Sequence, residues 1–149
     1  MPSINSAEQL IAAYAAGERN FRGAHLAGSR LSGATLSDAD LAGANLSGSD
    51  LREANLSRCN LEGANLTRCK MRRANLIGAN CKGTDFSGSN LYRIKLLRAN
   101  LQDALFNRAD LRIGADLREA DITATNFRGA LYDEYTKFPP YFDPIAQGM

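Results

Sequence analysis

The sequence predicts an all-β solenoid, and three regularities carry that prediction. A leucine or its equivalent recurs at every fifth residue (position i), the residue two before it is small, and glycine is frequent two after it. From Phe21 to Leu111 there are 19 consecutive i positions without a gap, of which 14 are Leu and the rest are Phe21, Met71, Cys81, Phe86 and Phe106. Position i−2 is Ala, Ser, Cys or Thr in 17 of the 19, with Arg19 and Ile94 as exceptions. Position i−1 is most often Asn or Asp, as in Asp40, Asn45, Asn55, Asn65, Asn75 and Asn100.

No single regular element accommodates this period. Five residues of α-helix turn a side chain through about 500°, roughly 140° net, so the leucines would wind around the whole surface. In a continuous strand an odd spacing alternates faces and sends half of them to water. The conflict disappears if the chain turns a corner within every five residues, so that i and i−2 point inward each time. Glycine at i+2 fits the second central position of a type II turn, which requires positive φ. A helix would have to absorb ten such glycines (23, 28, 33, 43, 48, 63, 78, 83, 88 and 129).

The recurring A-[DN]-L-x-x motif resembles the pentapeptide-repeat family over roughly residues 19–132. The resemblance implies a right-handed quadrilateral β-helix with four pentapeptides per coil. At an inter-strand spacing of ~4.8 Å, about 5.5 coils make a rod roughly 27 Å tall. Residues 20 apart then stack, giving one ladder of Phe21, Leu41, Leu61, Cys81 and Leu101, and a second of Leu26, Leu46, Leu66, Phe86 and Phe106. Leu51 and Leu56 belong to the two remaining walls. After Leu111 the next leucine falls at 117 instead of 116, which reads as a one-residue bulge at Ile113–Gly114. A locally absorbed bulge extends the second ladder as Phe86, Phe106, Phe127, an aromatic stack. The inward series then continues as Leu117, Ile122, Phe127 and Tyr132.

Solenoid ends expose core and unpaired edges, so covers are expected. In segment 1–18, Ser6 to Gln9 form a capping box, followed by Leu10, Ile11 and Tyr14 and stopped by Gly17, predicting one short amphipathic helix over the N-terminal mouth. The β-helix occupies 19–132. Segment 133–149, aromatic and proline-rich, is expected to fold over the last coil, with its exposed part available as a dimer contact. The protein is expected to be a monomer, or a dimer through this C-terminal end.

Composition narrows the function classes. The net charge of +2 points to neither nucleic acid nor membrane, and no apolar run reaches the roughly 18 residues of a membrane span. The N-terminal stretch lacks the basic and apolar regions of a signal peptide, so Cys59, Cys69 and Cys81 are read as reduced thiols of a cytoplasmic protein. All three occupy i or i−2 sites and are expected inside and inert. The lone His25 is outward at an i−1 position, and no cysteine or second histidine shares its face. The glycines follow turn spacing, without the strand and helix context of a nucleotide loop. The Asn and Asp at i−1 are read as bonding the local backbone. No catalytic residue, metal ligand or cofactor site is expected, and no membrane association.

Charge is distributed unevenly over the walls. The one built on Leu51, Met71 and Leu91 collects Arg30, Arg52, Lys70, Arg72, Arg73, Arg93 and Arg112 against Asp50, Glu53 and Asp110, with Tyr92 among them. Arg52, Lys70, Arg72, Arg73, Tyr92, Arg93 and Arg112 form the candidate interaction face. A smaller candidate is Ile77 and Leu97, outward at stacked i+1 sites. The expected function is that of a non-enzymatic interaction module, a rigid rod presenting its sides to an unknown protein. One alternative is nucleic-acid binding through the arginine-rich face. The resemblance supplies another, protection of DNA gyrase by mimicry of duplex DNA, but mimicry requires an acidic surface and this chain is mildly basic. The segment "AAYAAGERNFRGAHL" resembles the start of small single-domain bacterial members, particularly cyanobacterial ones.

Overall fold

A computed structural model describes residues 3–149. Its backbone repeats one unit, a β-bridge at i−1 followed by a two-residue turn at i+1 and i+2. Every bridge is parallel and joins residues 20 apart in the regular coils, from Asn20 with Asp40 to Asn90 with Asp110. Four units therefore complete one coil, and each coil lies directly on the one before. The hydrogen bonds run both ways: the N–H of Leu46 donates to Asn65 O in the next coil at 2.8 Å, and the N–H of Asn45 donates to Ala24 O in the previous one at 2.9 Å.

The corner explains the period. At the regular corners the N–H of i+3 donates back to the carbonyl of i, as Ala44 does to Leu41 at 3.0 Å, the exception being Cys69, whose N–H donates to the Ser89 hydroxyl. Residue i+2 sits at positive φ throughout, near +70° for Gly33 and Gly43. Twelve residues other than glycine adopt the same conformation in the repeats and the bulge, six of them arginine: Arg58, Arg68, Arg73, Arg93, Arg98 and Arg108. An L-residue there costs about 1–2 kcal/mol, which the stacking of coils on both sides must offset. Arginine brings a long apolar stem to this position: a Cβ built on Gly78 would lie 3.6 Å from Arg58 Cγ, and one on Gly88 3.4 Å from Arg68 Cγ. These stems pack against the turn of the following coil.

The interior is one continuous core. Phe21, Leu41, Leu46, Leu51, Leu56, Leu61, Leu66, Phe86, Phe106 and Phe127 are all buried, each at 2% exposure or less. A fully buried leucine or phenylalanine contributes about 1.5–3 kcal/mol of transfer free energy, so the ladders dominate stability. Cys81 and Ile94, the undersized i residue and the oversized i−2 residue, are also fully buried. Not every inward position is sealed. Ile122 and Tyr132 are only half-buried, because they belong to the final coil and no complete coil lies above them.

Hydroxyl and thiol groups at i−2 share one solution. Ser49, Thr84 and Ser89 point inward yet donate to the carbonyls of Leu26, Leu61 and Leu66, each 23 residues back, at 2.9, 2.7 and 2.6 Å. Cys59 and Cys69 do the same toward Leu36 O and Leu46 O at 2.9 and 3.1 Å. Among the described residues no buried side-chain polar atom lacks a partner.

The extra residue near 113–114 is absorbed locally. Ile113 and Gly114 both take positive φ, +61° and +91°, and the bridges beyond them shift to a spacing of 21, beginning with Lys95 and Asp116. Phe86, Phe106 and Phe127 consequently remain stacked, with ring centroids 4.8 and 5.1 Å apart.

The N-terminal helix α1 spans Ala7–Ala15, with Ser6 as N-cap accepting from the N–H of Gln9 at 3.1 Å. The Gln9 side chain reaches one residue further back than a capping box, accepting from the N–H of Asn5. Gly17 N–H to Tyr14 O and Glu18 N–H to Ala13 O close the helix as a Schellman motif, with Gly17 at φ +98°. Leu10 joins the core, and the Tyr14 hydroxyl donates to Ser37 O in the first coil at 2.9 Å. Ile11, expected on the inner face, is instead 48% exposed, since Ala7, Leu10, Ala13 and Tyr14 make up the helix face that meets the coil.

At the other end, Phe138 and Phe142 pack around Phe127, with ring centroids 6.3 and 5.1 Å away, and Gly129 N–H donates to Gly148 O. The 133–149 segment thus lies on the last coil, leaving Tyr135, Tyr141 and Ile145 exposed. Among the described residues no helix is long and apolar enough to cross a membrane.

Candidate interaction face

The outward wall built on Leu51, Met71, Leu91 and Leu111 has three columns: i−1 (Asp50, Lys70, Asn90, Asp110), i+1 (Arg52, Arg72, Tyr92, Arg112) and i+2 (Glu53, Arg73, Arg93, Ile113). The backbone positions them all. Residues i−1 and i+1 flank an inward residue, and stacking repeats each column once per coil.

The seven residues singled out from the sequence are not equivalent. Arg52 is clamped by Asp50 of its own turn, Nε to Oδ1 at 2.8 Å and Nη2 to Oδ2 at 2.6 Å, and the same oxygen Oδ1 accepts from the Arg52 N–H. Arg112 repeats the arrangement with Asp110 at 2.9 and 2.7 Å, and its Nη2 also donates to the Tyr92 hydroxyl at 3.2 Å. The Arg52 guanidinium holds the Asp50 carboxyl below its ordinary range, and the carboxylate in turn raises Arg52. These two arginines are spoken for. Tyr92 is half-buried beneath Arg112. Among the described residues Lys70, Arg72, Arg73 and Arg93 have no ion-pair partner, and all four side chains are exposed. An open cleft of about 350 Å³ runs beside them, lined by Ser32, Arg52, Glu53, Arg72 and Arg73.

The other expected features lie elsewhere. Ile77 and Leu97 are half-buried rather than an exposed patch. The exposed large apolar residues are instead Ile11, Leu105, Ile113, Leu131, Tyr135, Tyr141 and Ile145, toward the ends of the rod. The sequence points to Ile113 only as part of the bulge, and leaves the exposure of Leu105 and Leu131 unsignalled, although each departs from the residue type usual for its column. His25 is exposed, and its N–H donates to Ile4 O. The three cysteines are buried and unpaired. Burial pushes the thiols up, Cys59 to about 12 and Cys69 to about 11, and raises Cys81 as well. Among the described residues no group of three His, Cys, Asp or Glu side chains comes together as a metal site would require.

A filled, coil-stacked interior with all its chemical variety on the outer columns defines a repeat solenoid of the β-helix class. The chain belongs to the pentapeptide-repeat family: the family model described as pentapeptide repeats matches residues 20–58, 54–93 and 93–131. Membership implies a right-handed β-helix. Among solved structures, a pentapeptide-repeat protein of the Arabidopsis thaliana thylakoid lumen is 29% identical with a TM-score of 0.54, the match covering 70% of this chain and 65% of that one. The chain thus spans about two thirds of that relative's length. A pentapeptide-repeat protein of the cyanobacterium Cyanothece is 33% identical over 70% of this chain and 64% of the other, with a TM-score of 0.35. One from Nostoc is 27% identical over 99% and 97% of the two chains, with a TM-score of 0.32. Among proteins of curated function no match is found.

Proposed function

We propose that the protein is a non-enzymatic interaction module, a rigid β-helical rod that presents its side walls to a protein partner. One observation carries the reading: the inward groups of the coils are apolar, or are hydroxyls and thiols bonded to a coil carbonyl, and the remaining thiol, Cys81, is sealed in the core and held protonated by burial. Nothing nucleophilic or acidic is left inside for chemistry, whereas the outer columns vary freely at a fixed repeat distance. Rigidity adds to the argument, since a surface that does not reorder on binding loses little conformational entropy.

The test is a wall-by-wall exchange. Outward residues of one wall at a time are replaced, unfolding is checked by circular dichroism, and partners are captured from an extract of the source cells. One wall is expected to abolish capture of a stoichiometric partner while the other three leave it intact. If no wall alters the captured set, the module reading is wrong. A gel shift titrated with salt and a gyrase supercoiling assay separate it from direct nucleic-acid binding and from duplex mimicry.

A further inference from the structure

We infer that Lys70, Arg72, Arg73 and Arg93 form a docking site for an extended acidic segment of a partner protein, which crosses the rod roughly perpendicular to its axis. The inference rests on the interaction-module reading and names its wall and partner chemistry. It starts from how charge is spent on this wall. The coils carrying Arg52 and Arg112 neutralise their own cations through Asp50 and Asp110. The two coils between them do not: residues 69–73 and 89–93 contain these four cations and no carboxylate, while Arg30, a further exposed cation of this wall, stands two coils below Lys70, beyond Asp50.

The flanking acids set the direction of approach. Asp50 and Glu53 lie one coil below Lys70 and Arg73, and Asp110 lies one coil above Asn90. With coils stacked at ~4.8 Å, the uncompensated strip is about 10 Å tall. A polyanion laid along the rod, such as a nucleic-acid backbone, would run from this strip onto coils whose Asp50–Arg52 and Asp110–Arg112 pairs are already neutral, and below it onto the carboxylate of Glu53. A segment crossing the wall meets the cations and no carboxylate.

Spacing points the same way. Lys70 and Arg72 stand on either side of the inward Met71, as alternate residues of an extended segment do, roughly 6–7 Å apart. Carboxylates on one side of an extended peptide recur at that same distance of roughly 6–7 Å. Arg72, Arg73 and Arg93 offer planar guanidinium groups suited to bidentate pairing with carboxylates. The half-buried Tyr92 ring, held by Arg112, supplies an apolar surface between the cations of the two coils.

The experiment measures fluorescence anisotropy of a short labelled peptide with glutamate at alternate positions, beside a single-stranded DNA oligonucleotide of equal charge. The protein is expected to bind the peptide more tightly than the oligonucleotide. Arg72→Glu/Arg73→Glu/Arg93→Glu is expected to weaken peptide binding by roughly tenfold or more, since like charges now face each other. Arg68→Glu/Arg108→Glu, which reverses two free cations of the adjacent wall, should change it by less than about twofold if rim charges there act only at long range. Asp50→Asn, which releases Arg52 while keeping the turn acceptor, should tighten it. The docking site is overturned if the protein does not bind the peptide, if the adjacent-wall variant loses as much as the triple variant, or if the oligonucleotide binds more tightly. A unique partner lost only when another wall is exchanged would leave the module reading standing without this site.

Discussion

Two opposite walls of the rod share one backbone and one leucine-lined interior, yet dispose of their polar groups in contrasting ways. On the wall of Leu41, Leu61, Cys81 and Leu101, the i−1 side chains form a ladder. Asn60 Nδ2 donates to Asp40 Oδ1 at 3.1 Å, Asn80 to Asn60 at 3.1 Å, and Asn100 to Asn80 at 3.4 Å. Each Oδ1 also accepts a turn N–H two residues on, as Asn80 does from Lys82. On the wall of Leu51, Met71 and Leu91 the same column reads Asp50, Lys70, Asn90, Asp110, and no such ladder forms among them. One wall satisfies itself along the rod axis. The other leaves its central cations for a partner. The solenoid stabilises both, because coil stacking and core burial do not depend on what the i−1 column carries outward.

The perturbation with the largest expected effect tests that shared foundation. Phe106→Ala removes the middle ring of the Phe86–Phe106–Phe127 stack and should destabilise the protein by about 3–5 kcal/mol in chemical denaturation. Hydrogen exchange should then rise on both walls. Protection lost from one wall alone would mean the walls are not energetically coupled through the core.

Next comes Ser89→Ala, beneath the basic wall. The Ser89 hydroxyl donates to Leu66 O and accepts from the N–H of Cys69 at 2.9 Å, so the change strands a buried N–H at a cost of about 1–3 kcal/mol. A neutral result would show that Cys69 re-forms its turn bond without help.

The contrast itself is measured by pairing Asn80→Ala with Asn90→Ala. Asn80 takes part in the ladder and a turn bond, whereas Asn90 only accepts from the Tyr92 N–H at 3.0 Å. Asn80→Ala should therefore cost about 1 kcal/mol more, the worth of the added bonds at partial exposure. Equal losses in thermal unfolding would reduce the ladder to a geometric coincidence.

The smallest effect is that of mild acidification. Hydrogen bonds from Arg52 and Arg118 hold Asp50 and Asp116 below the ordinary carboxylate value of 3.8. A lowered folded-state value means that this stabilisation is fully present above the unfolded value and is lost only as pH falls through the folded one. The unfolding midpoint should be flat from neutral pH to about 4 as far as these groups are concerned, then decline. A decline beginning well above that range would assign the acid response to other groups.

Much of this molecule is legible one repeat at a time. The five-residue period, the small i−2 residues and the glycines at i+2 specify a turned coil because each acts through local sterics: which side chain fits inside, and which residue tolerates positive φ. The bulge at 113–114 is readable for the same reason, as a slip of one residue in a strict register. Ser6 and Gly17 likewise bracket the helix through their own backbone bonds, although the helix alone does not say that Ile11 faces solvent.

What only the tertiary structure decided lies between coils. Twelve non-glycine residues of the repeats and the bulge hold positive φ because neighbouring coils leave the corner no other path, an outcome that local preference alone argues against. The hydroxyls and thiols at i−2 find their acceptors 23 residues back, and Asn60, Asn80 and Asn100 find one another 20 residues apart, through a pitch that exists only once the coils stack. The candidate face changed most. Sequence summed seven residues into one stripe, but ion pairing is a matter of reach and rotamer, and it withdrew Arg52 and Arg112 and laid Arg112 over Tyr92. A period is a property of the chain; a free charge is a property of what surrounds it.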